Sequence, residues 1–364
     1  MRLRCERDVL VEALSTAGRA SGRGAAAPVL SGIRLEVSGD VLRVTGTDLD
    51  LTISVEANVN GTTNGVVVAP ARLVTDIVRA LDPGAVTLEA DDDLRITSGR
   101  SQFSVRTHPA EDFPRVVRPG GESVTLPAAG LADALRQVVR AASTEDSRPI
   151  LTGVLMAAEP GGLRMVATDS YRLAVRDLPG VGILTEGQKV LIPSRALTEL
   201  LRLLGSGATD VGLRLGSHDA TFEVGVVALT TRLIEGEFPD YRQLIPPSYP
   251  NRLVVGREAF LDAVRRVKLV ARDPTTPVRI SLRAEGIELT VITADYGQAT
   301  EDVDAKYEGS EMVVAFNPTY LIEGVEALSG DEIQVETLDS LKPVTIRPTE
   351  GDDYLYLLMP VRVS

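Results

Sequence analysis

The same order of motifs occurs three times along the chain, and this repetition restricts the fold more than any other feature. A strand, turn and strand pattern that ends in Thr-Asp begins at Ala27, and a similar one begins at Arg148. The two aspartates, Asp48 and Asp169, are 121 positions apart, and a fainter third copy places Asp295 another 126 positions on. Motifs that keep a nearly constant spacing indicate a duplicated structural unit.

A second block repeats in step with the first. A short apolar strand, a proline and a helical pattern of about three turns surround Pro70, Pro193 and Pro318, which are spaced by 123 and 125 positions. Proline is tolerated at the first position of a helix, where its missing N–H leaves nothing unpaired, so we expect each proline to start a helix. The 364 residues therefore divide into three tandem domains, predicted as residues 1–120, 121–247 and 248–364.

Each domain is predicted to contain two helices and several antiparallel strands, an α+β fold with helices on one face of the sheets. Apolar residues at helical spacing predict helices over residues 7–19, 70–81, 127–142, 193–204, 256–272 and 318–328. The other segments alternate apolar and polar residues and are bounded by Gly and Asp turns, as strands are. Trp is absent and aromatic residues make up only 4%, so the cores must consist of aliphatic side chains.

No arrangement of residues predicts catalysis or a metal. The two histidines, His108 and His218, have no partner at the spacing of metal ligands. Gly-rich stretches at Gly22 and Gly205 lack the strand or lysine that nucleotide-binding loops require, and are interpreted as turns that end helices. The acidic run 91–93 lies between two alternating strands and is interpreted as a hairpin turn. We therefore expect neither an enzyme nor a cofactor.

The cysteine content and hydropathy favour a cytoplasmic protein. No apolar run approaches the roughly 18–20 residues that a membrane span requires. Cys5 is the single cysteine, which fits a reducing compartment, and it is interpreted as a small buried residue near the start of a strand.

Positive charge is concentrated on the predicted helices, although the chain carries a net charge of −13. The six helices together carry +4, so the remainder carries −17. Arginines share helix faces in pairs, namely Arg72 with Arg79, Arg136 with Arg140, and Arg195 with Arg202. One interpretation is a solvated helix face. The other is a basic surface that neutralises phosphates without reading bases, and repetition in equivalent helices favours it.

The segment ATDSYRLAV, residues 167–175, crowds polar side chains into a few positions. Its counterpart in the first copy, GTDLDLTI, contains no catalytic set, so Thr-Asp is interpreted as a scaffold turn in which Asp bonds local backbone. Ser170, Tyr171 and Arg172 are then the part special to the second copy.

Several motifs together resemble the bacterial sliding clamp family, the beta subunit of DNA polymerase III. They are PVLSGI, TGTDLDL, SGRSQFSV, EDFP, ATDSYRLAV, EFPDYRQLIP, FNPTYL and YLLMPVRV. Arg outnumbers Lys about eight to one, which is similar to high-GC actinobacterial versions. The resemblance implies a non-catalytic subunit of the polymerase holoenzyme: two chains form a head-to-tail ring of six domains, with helices inside, and encircle double-stranded DNA irrespective of sequence.

The resemblance also implies a pocket between the second and third domains for short linear peptides. Its partners would be the DNA polymerase III alpha subunit, the clamp loader, other polymerases and repair proteins, as well as pocket-binding inhibitors. The residues carried over by motif are Arg148, Leu151, Thr168, Ser170, Tyr171, Arg172, Leu173, Pro239, Gln243, Leu244, Asn317, Tyr320, Leu341, Pro343, Leu357, Leu358, Met359, Pro360, Val361 and Arg362.

For the DNA-facing surface, the residues expected are Arg19, Arg23, Arg72, Arg79, Arg136, Arg140, Arg195, Arg202, Arg265 and Lys268. The chain departs from the family where Ser170-Tyr171 replaces the frequent Gly-His, and where the tail ends in Ser364 rather than Leu. Two alternatives stay open: a second, inhibitor-resistant copy of the clamp, and an interaction scaffold that never touches DNA.

Overall fold

The computed structural model describes residues 1–22, 27–116, 123–205, 207–273, 275–351 and 353–362. The chain divides into two compact units. Unit 1 contains residues 1–128 and 202–233, and unit 2 contains residues 129–201 and 234–364. Arg23 lies outside the described residues.

The secondary structure repeats three times, as the motif spacing predicts. The first repeat contains β1 Arg2–Glu6, α1 Arg7–Gly18, β2 Gly32–Ser38, β3 Val41–Thr47, β4 Leu51–Asn58, β5 Asn60–Thr63, β6 Gly65–Pro70, α2 Ala71–Ala80, β7 Ala85–Ala90, β8 Asp93–Ser98 and β9 Ser101–Arg106. The second contains β10 Val124–Pro127, α3 Ala128–Val138, β11 Gly153–Glu159, β12 Gly162–Thr168, β13 Arg172–Pro179, β14 Lys189–Pro193, α4 Ser194–Leu204, β15 Asp210–Leu215, β16 Asp219–Val224 and β17 Val227–Arg232. The third contains β18 Asn251–Gly256, α5 Arg257–Lys268, β19 Val278–Arg283, β20 Gly286–Thr293, β21 Gly297–Val303, β22 Ala305–Glu308, β23 Met312–Phe316, α6 Pro318–Glu326, β24 Glu332–Thr337, β25 Val344–Pro348 and β26 Tyr354–Leu358.

Antiparallel sheets in each unit join strands from different repeats. Unit 1 has sheets in the orders β5-β1-β7-β8-β9 and β10-β15-β16-β17-β4-β3-β2-β6. Unit 2 has sheets in the orders β14-β11-β12-β13-β26-β25-β24-β18-β22 and β21-β20-β19-β23. In both units the last strand of one repeat pairs with the fourth strand of the repeat before it, as β17 with β4 and β26 with β13.

The helix starts require one correction. Pro70 and Pro193 were predicted to open helices, but they end β6 and β14, and only Pro318 is the first residue of its helix. Pro70 lies opposite Gly32 in an edge strand, where its missing N–H faces away from the ladder. The predicted helix 127–142 also ends early, because residues 139–141 tighten into a 3₁₀ turn.

The cores are mostly aliphatic, with Phe222, Phe260 and Phe316 fully buried among them, and two glycines allow close packing of helices on strands. α1 buries Leu10, Leu14 and Ala17, and a Cβ on Gly46 of β3 would collide with the Ala17 carbonyl. In unit 2, a Cβ on Gly324 of α6 would collide with the Tyr356 ring of β26. The helices can therefore approach their sheets closely only because these two positions lack side chains.

Candidate functional site

The Thr-Asp turn of the second repeat is held by its own side chains. Asp169 Oδ1 accepts hydrogen bonds from the backbone N–H of Tyr171 (2.9 Å) and Arg172 (3.0 Å). The Thr168 hydroxyl donates to the Arg172 carbonyl (2.6 Å) and accepts from Ser170 N–H (3.1 Å). The scaffold interpretation is confirmed, because the first repeat forms the same turn with Thr47 and Asp48.

Arg172 lies beside this turn and is a buried positive charge that pairs with two carboxylates from different parts of the fold. Its Nε lies 3.0 Å from Asp169 Oδ2, and its Nη1 forms a second ion pair with Glu323 of α6. The guanidinium also stacks over Tyr320, 4.2 Å from the ring centroid. Burial alone would lower the pKa of Arg172, but Glu323 and Asp169 contribute to a net rise, so the charge is kept. Arg172 therefore ties β13 to α6.

An apolar floor lies next to the turn. It is a buried cluster defined by Leu155, Val166, Leu173, Leu191, Tyr241 and Leu357. Leu173 and Leu357 face each other directly across the β13–β26 ladder. The predicted pocket residues Leu151 and Leu358 are also buried, at 7% and 1% exposure. Because these leucines are buried, they form the packed base of the region, and a bound molecule would contact them only from the side that faces solvent.

Exposed apolar side chains border the floor. Tyr171 is 59% exposed, Leu244 47%, and Met359 and Val361 37% each. Two hydrogen bonds fix the chain end here: Met359 N–H donates to the Tyr171 carbonyl (2.9 Å), and Val361 N–H donates to the Ala315 carbonyl (2.7 Å). Large apolar side chains exposed beside a buried cluster are typical of surfaces that bind other molecules.

Arg148 and Ser170 form a polar border on the same side. Arg148 Nη1 donates to Ser170 Oγ (3.1 Å), and its Nη2 pairs with Glu145 Oε2 (2.8 Å). Ser170 has φ of +78°, a left-handed conformation that glycine adopts at much lower cost. This strained position thus carries a serine whose hydroxyl holds Arg148 in place.

Other predicted pocket residues have internal roles or stand apart. Asn317 caps α6, accepting from Thr319 N–H (2.9 Å) and Tyr320 N–H (3.2 Å). The Gln243 amide donates to Asp240 Oδ2 (2.7 Å) and the side chain is exposed. Leu341 is 60% exposed in the loop between β24 and β25. The remaining residues, partly or fully exposed, are Pro239, Pro343, Pro360 and Arg362.

The lining of the site suits the binding of an apolar group. An apolar base with Met, Tyr and Leu at its border can bury an apolar anchor, while the backbone groups and Arg148 orient it. Among the described residues, no group of three or more His, Cys, Asp or Glu is placed to hold a metal. None of the helices in the described part of the chain is long and apolar enough to cross a membrane.

Cys5 lies in β1 with 8% exposure, which confirms its interpretation as a buried residue. Desolvation, with a contribution from Glu6, raises the pKa of its thiol to about 11. The side chain is therefore a protonated thiol at neutral pH.

The second set of candidate residues is on the helices of both units, and we call its members the helix arginines: Arg72, Arg79, Arg136, Arg140, Arg195, Arg202 and Arg265. The Arg72 side chain is 96% exposed, and those of Arg79, Arg136 and Arg140 are 57–58% exposed. Arg195 and Arg202 are exposed, whereas Arg19 and Lys268 are half-buried. These exposures leave the arginines accessible to a large anionic partner.

Carboxylates beside these arginines were not recognised from the sequence. Arg79 pairs with Asp76 (3.4 Å), and Arg136 pairs with Asp133. Glu326 lies between Arg265 (2.9 Å) and Arg140 (3.0 Å), and hydrogen bonds from these two arginines, led by Arg265, lower its pKa. The signal was available, because an acidic residue three positions before an arginine lies on the same helix face.

Comparison with known proteins assigns the family. Models of the DNA polymerase III beta subunit match the N-terminal domain over residues 1–117, the central domain over 125–240 and the C-terminal domain over 242–362. The beta sliding clamp of Streptomyces coelicolor is 34% identical over 383 residues and covers 100% of both chains.

Solved structures agree over the whole length. The beta sliding clamp of C. crescentus is 32% identical, with a TM-score of 0.94, covering 100% of this chain and 99% of that one. A sliding clamp from Bartonella birtlesii bound to griselimycin is also 32% identical, with a TM-score of 0.93 and full coverage of both chains. Three tandem clamp domains are thereby established, while the bounds 1–120, 121–247 and 248–364 stay predictions. The chain belongs to the DNA polymerase III beta subunit family, the bacterial sliding clamps.

Proposed function

We propose that two copies of this chain close into a ring around duplex DNA and tether the replicative polymerase without any catalysis of their own. The observation that carries the proposal is a pair of strand edges left open by the internal repeat. Sliding along DNA then depends on encirclement rather than on tight contacts.

Two of the strands that would pair between repeats have no such partner in the described part of the chain. The last strands of the second and third repeats, β17 and β26, pair with β4 and β13, the fourth strands of the repeats before them. The corresponding last strand of the first repeat, β9, and the fourth strand of the last repeat, β21, are both sheet edges. Pairing β9 of one chain with β21 of another would complete the pattern twice and close a ring of two chains.

The side chains at these edges support that pairing. Phe103 is the third residue of β9, as Leu229 is of β17, yet Phe103 is 38% exposed and Leu229 is 0%. Near β21, Leu269, Ile292 and Tyr296 are 74%, 55% and 63% exposed. An unpaired edge with large exposed apolar groups is the kind of surface that a partner chain covers.

Ring closure is tested by placing a charge at each edge. Phe103→Asp and Leu269→Asp should each convert a dimer into a monomer in light scattering, because a buried charge without a partner opposes association. Val226→Asp is the matched control, since Val226 is 64% exposed in the β16–β17 turn and belongs to neither edge strand. Unchanged mass in both edge variants would contradict the pairing.

The helix arginines support an interaction with the DNA backbone. They are exposed, occur in equivalent helices of the repeats, and belong to a chain whose other residues are strongly acidic. Such a surface attracts phosphates irrespective of sequence, while the acidic remainder repels DNA elsewhere.

Encirclement is tested by topology. Clamps loaded on closed circular DNA should stay bound, and linearising the circle should release them from the free ends. The interaction-scaffold alternative predicts no retention on either form. Equal loss from circular and linear DNA would contradict encirclement.

The apolar floor and its border support docking of short peptides from the polymerase III alpha subunit, the clamp loader, other polymerases and repair proteins. A peptide with one apolar anchor would contact Met359 and Leu244 and cover the leucines beneath. The relative from Bartonella birtlesii binds griselimycin, and we propose that inhibitors of this kind take the same surface here. A fluorescent peptide of the clamp-binding type tests this by anisotropy, and unlabelled inhibitor should displace it.

A further inference from the structure

An acidic residue stands three positions before an arginine in four of the six described α-helices. The pairs are Asp76 with Arg79, Asp133 with Arg136, Glu199 with Arg202, and Asp262 with Arg265. Side chains at this spacing lie on one helix face. The same arrangement therefore recurs in all three repeats, on the helices that carry the surface proposed to face DNA.

The structure shows the carboxylates engaged with the arginines. Asp76 lies 3.4 Å from Arg79 and 3.8 Å from Arg72, and Asp262 lies 3.2 Å from Arg265. Asp133 pairs with Arg136 in the same way. Each of these arginines is thus presented to solvent with a carboxylate already beside it.

Glu199 is 8% exposed, but burial does not require the other three pairs. The carboxylates of Asp76, Asp133 and Asp262 are 55–60% exposed, and their arginines are 45% exposed or more. Ion pairs in water at such sites contribute little to folding, so stability alone gives a weak reason for the recurrence. A buried pair such as Arg172 with Asp169 is different, because both of its side chains are only 9% exposed.

A phosphate that approaches one of these arginines meets a competitor. It must displace a carboxylate from the guanidinium, and the displaced carboxylate then repels the phosphate. The net attraction per contact is lower than for a free arginine. A ring that is held by topology gains from this, because strong phosphate contacts would have to break at every step along the duplex.

We propose that Asp76, Asp133 and Asp262 are positioning residues that weaken the phosphate contacts of the helix arginines and so keep the ring mobile on DNA. This inference rests on the proposed function. Glu326 contributes in the same sense, because one carboxylate engages both Arg140 and Arg265.

The test compares two variants with the same change in net charge. The first is Asp76→Asn with Asp133→Asn and Asp262→Asn. The matched control is Asp92→Asn with Asp146→Asn and Asp331→Asn, three exposed aspartates outside the helices whose side chains make no hydrogen bond or ion pair within the described ranges. Each labelled clamp is loaded on stretched DNA, and its one-dimensional diffusion coefficient is measured over a range of salt concentrations.

The first variant should diffuse roughly two- to tenfold more slowly than wild type at low salt, and the difference should shrink as salt rises. The control should diffuse like wild type. Thermal unfolding is recorded in parallel, and a single Asp133→Asn variant repeats the comparison if the triple variant is unstable.

Equal diffusion of the two triple variants at every salt concentration would overturn the inference while leaving encirclement intact. Lower thermal stability of the first variant with unchanged diffusion would also overturn it, and would assign the carboxylates to helix stabilisation. Loss of the wild-type clamp from closed circular DNA would instead refute the proposed ring itself.

Discussion

The two inter-repeat ladders of this chain share a backbone plan and differ in the side chains that face each other across them. In unit 1, Thr52 of β4 faces Thr230 of β17, and in unit 2, Leu173 of β13 faces Leu357 of β26. The threonines line a cavity of about 230 Å³ together with charged residues that include Asp50, Arg115 and Arg232. The leucines belong to the apolar floor.

The difference shows how duplication separates scaffold from function. Both ladders follow the same Thr-Asp turn, and both turns contain a residue with positive φ, Leu49 in the first and Ser170 in the second. The two units therefore share the backbone of the turn and ladder. Side chains at equivalent positions give the ladder of unit 1 a polar lining and that of unit 2 an apolar one. Only the second can bury an apolar anchor.

The largest expected effect concerns the buried charge that unit 1 lacks. Arg172 is replaced by Leu51 at the equivalent position, so Arg172→Leu imitates unit 1. It should lower the free energy of unfolding by about 3–5 kcal/mol, because Asp169 and Glu323 lose their buried partner. Urea denaturation measures this. Arg148→Leu is the control, since its pair with Glu145 is exposed and should cost about 1 kcal/mol or less.

The next effect concerns the floor itself. Leu173→Thr places the unit 1 residue in unit 2 and should weaken binding of a clamp-type peptide by about 2 kcal/mol, roughly 30-fold. Isothermal titration calorimetry measures the affinity. Thr52→Ala in unit 1 should leave it unchanged, and a large loss in this control would place the peptide elsewhere.

A smaller effect is expected at the border of the floor. Met359→Ala removes a flexible thioether that is 37% exposed, and should weaken the peptide by about 1 kcal/mol, roughly fivefold. Thermal stability should change little because the side chain is partly in solvent. Val226→Ala controls for loss of an exposed apolar group elsewhere, and equal affinity of both variants would exclude Met359 from the contact.

The smallest effect tests the shared turn. Leu49→Gly and Ser170→Gly relieve a positive φ of 83° and 78° and should each raise the free energy of unfolding by about 0.5–1 kcal/mol. Urea denaturation of the two variants gives the comparison. A gain at only one of them would mean that the two turns differ in strain despite their common hydrogen bonds.

Sequence patterns predicted the local structure well where the cause is local. The repeat spacing located all six described helices within a few residues, and the Thr-Asp turn followed from the ability of Asp to bond its own backbone. Within the acidic run at 91–93, Asp91 and Asp92 form the β7–β8 turn, as expected, and Asp93 begins β8. Asn317 was assigned to the pocket, although Asn directly before a helix is a common cap, and the structure shows it capping α6.

Contacts between distant segments could not be predicted in the same way. The ion pair of Arg172 and Glu323 joins residues 151 positions apart, and no local periodicity encodes it. The facing of Leu173 and Leu357 likewise depends on the register of β26 against β13. The resemblance to clamps named many residues near this region, but only the structure separates the buried floor from the exposed border.

The most direct test is the molecular mass in solution, measured by light scattering with and without a clamp-type peptide. The ring interpretation predicts twice the chain mass of 38.8 kDa, with one peptide bound per chain and binding weakened by Leu173→Thr. A species of 38.8 kDa that ignores the peptide would contradict it, and would mean that the fold is kept without ring or pocket.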